Sequence, residues 1–111
     1  MKKDDTLFLS LGEEPFDVMV TGEKTEEFRK PSNWIKSRLF DKNGEPRDYN
    51  HVKFVNGYGH DKPQFLVDFK GFRVSQVKQT IKFSNGLLVE VEKGDFIIEL
   101  GAVFYKLNIK K

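Results

Sequence analysis

The chain is 111 residues long, enough for one domain with a core of its own and no more. It has no cysteine, which excludes disulfides and thiolate metal sites and fits a reducing compartment. Nineteen basic residues against 17 acidic ones leave a net charge of +2, so any site for a polyanion must come from local clustering.

The opening segment, MKKDDTLFLSLGEE, carries two lysines and a short apolar patch but lacks the apolar core and cleavage site of a signal peptide. No apolar run approaches the roughly 20 residues of a membrane span. The expectation is a cytoplasmic protein that does not enter membranes.

Thr6 to Leu11 alternates weakly and predicts a strand, which Gly12 ends. Glu13, Glu14 and Pro15 suit the first turn of a helix, Phe16, Met19 and Val20 recur at helical spacing, and Gly22 marks the stop. Lys24 to Arg29 predicts a second strand. Ser32 caps a second helix over Asn33 to Phe40, with Ile35 and Leu39 on one face. Asp41 to Asn50 is a polar loop. Beyond it the pattern is nearly all strand: HVKFV, then QFLVDFKGFRV, then Val77 to Phe83. Asn85-Gly86 is the strongest hairpin signal in the chain, and LLVEVE returns from it. Lys93-Gly94-Asp95 turns into FIIEL, and Gly101 is expected to break that strand before AVFYKLNI. Two short helices followed by about six short strands predict a mainly β (α+β) domain. Closure into a small mixed barrel of five to six strands would protect edges rich in Phe, Val and Ile.

The segment TGEKTEEFRKPSNW concentrates charge. Its spacing is G-x-K-x-x-E-x-R, at Gly22, Lys24, Glu27 and Arg29. Glu27 and Arg29 share a strand face because the side-chain period is two. Lys24 points elsewhere unless the preceding turn re-aims it. Scattered over a surface strand, these charges would simply face water. Converging on one cleft, they acquire chemistry. Arg forks onto a phosphate or a base edge, Lys adds a point charge whose pKa drops beside another cation, and Glu accepts from an exocyclic amine or holds the two cations. Such a trio costs desolvation, so it persists where function or pairing maintains it.

With its preceding strand and helix, this motif resembles the signature of the activating-signal-cointegrator homology (ASCH) family, a PUA-like group. The closing DFIIELGAVF also resembles the family's penultimate strand and turn. The resemblance implies a five- or six-stranded barrel whose cleft is lined by the motif, and relatives that bind RNA or modified bases. Some members are described as hydrolases, and one branch removes the acetyl group from acetylated cytidine with a motif lysine, a threonine and a separate glutamate. Here Glu27 stands where that threonine would, and Thr25 is no substitute, so that activity does not carry over.

Trp34 and Arg38 lie at i, i+4 on the second helix. The indole either packs in the core with Ile35 and Leu39 or stacks on a base with Arg38 beside it. Asn56-Gly57-Tyr58-Gly59 allows a sharp bend that would hold Tyr58 over an opening, and a similar N-G-Y stretch occurs in some ASCH sequences, which adds Asn56 and Tyr58 to the ligand-binding candidates. His51 and His60 lack metal-site spacing, and Asp68 and Glu99 are expected to face solvent. Neither a metal nor a cofactor is expected.

Three functions compete on these residues. The first is a module that binds RNA, a nucleotide or a modified nucleoside through Lys24, Glu27 and Arg29, with aromatic stacking. The second is a small hydrolase of a nucleoside amide or of RNA, with Lys24 and Glu27 catalytic. The third is a protein-interaction domain that keeps only the barrel. The oligomeric state is not legible.

Overall fold

A computed structural model describes residues 4–57 and 61–109. Seven strands and two helices follow one another as β1 (Asp4–Leu11), α1 (Glu13–Val20), β2 (Glu26–Arg29), α2 (Asn33–Leu39), β3 (Tyr49–Asn56), β4 (Gln64–Val74), β5 (Gln79–Lys82), β6 (Leu88–Val91) and β7 (Phe96–Leu107). The fold is mainly β: a curled five-stranded mixed sheet forms a half-barrel, with two helices and a small second sheet.

The main sheet has the order β1-β3-β4-β7-β2, and β5 and β6 pair separately. β1 runs parallel to β3, and the other pairings in the sheet are antiparallel. Alternation explains which face turns inward. Leu7, Leu9 and Leu11 of β1, Val52 and Phe54 of β3, Phe65 and Val67 of β4, and Phe96 and Ile98 of β7 all enter one core. Phe16 and Met19 of α1 and Ile35 and Leu39 of α2 join it from the concave side. Aromatic rings fill its centre edge to face and stacked, with Phe65 5.1 Å from Phe16 and 5.3 Å from Phe54.

Two expectations need correction. Gly101 does not end a strand. β7 runs unbroken through it, and the β4–β7 ladder shifts register there instead. The reason is space: a Cβ on Gly101 would lie 2.8 Å from Lys70 Cε and 3.0 Å from Asp68 Cβ, so the glycine admits β4 side chains across a bulge. The second strand begins at Glu26, because Lys24 belongs to the turn after α1. The expected mixed barrel of five strands takes the form of a half-barrel, with β1 and β2 as the two edges of its sheet.

The hairpin at Asn85-Gly86 forms, with a conformation of its own. Gly86 alone takes a positive φ (88°), its N–H donates to Phe83 O, and Phe83 N–H donates to Leu87 O. That is a type I turn closed by a left-handed glycine. The Asn85 side chain supports it, accepting from Leu87 N–H and donating to Glu14 O at the start of α1.

Candidate functional site

The turn after α1 sets the position of Lys24. Gly22, with φ of 90°, reverses the chain; its N–H donates to Met19 O, and Lys24 N–H donates to Val18 O. The lysine is thereby folded back under the helix, and its residue is 4% exposed. In β2, Glu27 lies opposite Ile98 and Arg29 opposite Phe96. Both partners are core residues, so the two charged side chains point to the concave side.

The three side chains meet. Lys24 Nζ donates to Glu27 Oε1 (3.0 Å) and to the Glu26 carbonyl. Arg29 Nε donates to Glu27 Oε2 (2.6 Å), and Arg29 Nη2 donates to the Ser10 carbonyl (2.8 Å). Glu27 is thus a buried anion between two cations, with each carboxylate oxygen taken by one of them. The lysine also lies 5.1 Å from the centroid of the Phe28 ring. No buried side-chain nitrogen or oxygen among the described residues lacks a partner, so the network is closed within the protein.

The cations differ in access. The Lys24 side chain is 2% exposed and that of Arg29 is 25% exposed. Lys24 is a holder of Glu27, whereas Arg29 keeps a solvent-facing edge, and its Nη1 has no hydrogen-bond partner among the described residues. Ser10 lies in β1 and Arg29 in β2, so this guanidinium crosses the gap between the two sheet edges. The Ser10 carbonyl was invisible to sequence reasoning: it is a backbone atom, 19 residues away, brought near only by the curl of the sheet.

Among the described residues, the other candidates do not gather with the trio in one hydrogen-bonded site. Trp34 is 47% exposed, which overturns the core-packing reading, and the Arg38 guanidinium carbon lies 4.9 Å from its ring centroid. The two cover each other on the outer face of α2, whose buried residues are Ile35 and Leu39. Ser32 caps that helix as expected, accepting from Ile35 N–H. Asn56 lines a separate cavity of about 430 Å³ with Glu13, Phe16, Asp17, Asp61 and Lys62, and none of the trio borders it. Tyr58 and His60 lie outside the described residues. Glu99 pairs with Arg73 (2.8 Å) on a partly exposed surface, and His51 packs 4.7 Å from Phe104.

Among the described residues no group of three or more His, Asp or Glu is arranged to hold a metal, and no helix is long and apolar enough to cross a membrane. Comparison with protein-family models, with curated proteins and with solved structures finds no match to this chain in any of the three.

Proposed function

We infer that this domain binds a nucleotide, a modified nucleoside or an RNA end, and that Arg29 makes the decisive contact. The observation that carries this reading is the fixed guanidinium at the seam of the half-barrel. Glu27 and the Ser10 carbonyl hold two of its three nitrogens, leaving Nη1 toward solvent. A guanidinium immobilised in advance loses little side-chain entropy on meeting a phosphate or a base edge. Lys24 supports it indirectly: by occupying Oε1 it leaves Oε2 as the oxygen that meets Arg29. The ASCH-like spacing around these residues points to the same class of ligand.

The hydrolase reading gains nothing from this arrangement. Each oxygen of Glu27 already accepts from a cation and the side chain is only 7% exposed, so little of it is open to a substrate proton.

Titration calorimetry with a panel of nucleosides and nucleoside monophosphates tests the proposal. Arg29→Lys should weaken the best ligand about tenfold or more, because an ammonium cannot be held in advance by both Glu27 and the Ser10 carbonyl while presenting a further N–H where Nη1 lies. Rising salt should weaken a phosphate-bearing ligand further. Equal affinities for wild type and Arg29→Lys would end this assignment.

A further inference from the structure

The convex face of the main sheet is a second place where the molecule can meet a ligand, and it owes nothing to the Arg29 site. Both helices put their apolar residues into the core on the opposite side. The ladder partners Phe8, Lys53, Leu66 and Tyr105 form one row across β1, β3, β4 and β7, facing outward. The next row holds His51, and Phe104 lies against it with ring centroids 4.7 Å apart.

The register shift in β7 creates the pairing of aromatics. Leu66 is opposite Tyr105 and Val67 is opposite Val103, so Phe104 is an extra residue in the strand. Strict alternation would turn one of Phe104 and Tyr105 inward. The bulge instead leaves both on the outer face, 50% and 49% exposed. Phe8 is 60% exposed, with Lys53 Nζ 5.8 Å from its ring centroid.

We propose that this face binds single-stranded nucleic acid, with Phe8, Phe104 and Tyr105 as stacking platforms and Lys53 as the phosphate contact between them. Open rings on a sheet surface, with a cation among them, match what splayed bases and their backbone require. The row from Phe8 to Tyr105 crosses three strand spacings, about 14 Å, which suits a contact of two or three bases. In these two rows the carboxylate is Asp68, opposite His51, and the Lys70 side chain lies beside it over Gly101. Lys53 therefore sets the sign of the face. The same charge disfavours a second copy of the chain as occupant, because a two-fold axis through this row would bring Lys53 against its own symmetry mate.

The test is fluorescence anisotropy of labelled 12-residue oligouridylate and oligothymidylate with the full chain at low salt. Phe8→Ala and Tyr105→Ala should each weaken binding about 5- to 100-fold. Tyr105→Trp should retain it, and Lys53→Gln should lower the salt dependence. Lys93→Gln, an exposed lysine in a turn, should bind as wild type. Unchanged melting temperatures establish that the variants fold, as expected for rings that are half exposed. Phe8→Ala should leave mononucleotide titrations unchanged, which separates this face from the Arg29 site. Oligonucleotide binding that survives both alanine variants overturns the proposal. So does a wild type that ignores both oligonucleotides, including one that forms a dimer dissolved by Phe8→Ala.

Discussion

Glu27 sets the energetics of the candidate site. Its side chain is 7% exposed and touches two cations, so removing it strands positive charge in a desolvated place. Glu27→Ala should cost about 3–5 kcal/mol of stability, measured by urea denaturation. Lys24→Met should cost clearly less, because Glu27 keeps Arg29 and the methionine fills most of the space left by the lysine stem. A Lys24→Met penalty equal to that of Glu27→Ala would show that the lysine, not the carboxylate, is the keystone. That Glu27 and Arg29 share a face was legible from spacing, because a two-residue period is a local fact, whereas Lys24 joins them only through the turn after α1, which spacing left open. The unequal access of the two cations was not legible either. It depends on Lys24 N–H reaching Val18 O, and on Arg29 finding Ser10 across the sheet.

At the scale of elements, the turns carry predictions of their own. Gly86 sits at φ 88°, where an L side chain is strained, so Gly86→Ala should destabilise by about 1–2 kcal/mol in thermal melts. Asp95 anchors the turn before β7. Burial, the strongest single influence, pushes its pKa upward, but Lys30 and the Glu92 N–H together outweigh it and hold the value below the ordinary 3.8. Its contribution to stability is therefore present above the unfolded value and is lost as pH falls through the lowered folded one. Asp95→Asn should flatten this part of the acid-denaturation curve. Lys30→Met should move that loss to higher pH, since the Glu92 N–H alone is then left to oppose the burial of Asp95. Both helices and the hairpin were readable because caps, acids and Asn-Gly act within a few residues. Gly101 misled for a physical reason: a glycine that ends a strand and one that makes room for a neighbouring strand look the same in one dimension.

For the whole molecule, the order β1-β3-β4-β7-β2 leaves two edges facing a common seam, and Arg29 is the described side chain that bridges them. Arg29→Lys should therefore do more than weaken a ligand. Amide exchange in β1 should accelerate while exchange in β4 stays slow, a pattern readable by hydrogen–deuterium exchange with mass spectrometry. Uniform protection in the variant would mean that the seam holds without its brace. The mainly β class followed from even strand spacing, but strand order did not, because nothing local specifies that β1 lies parallel to β3.

That order also constrains how the protein is made. The ladder partner of β1 starts at Tyr49, and that of β2 starts at Phe96. During translation the first two strands emerge with no hydrogen-bonding mate, and β2 waits for some seventy further residues. Its Lys24–Glu27–Arg29 cluster is a neighbourhood of local contacts that can assemble early, whereas the sheet around it rests on distant pairings that form late. A ribosome stalled after β6 should therefore display a protease-sensitive β2, and protection should appear only once β7 has cleared the exit tunnel.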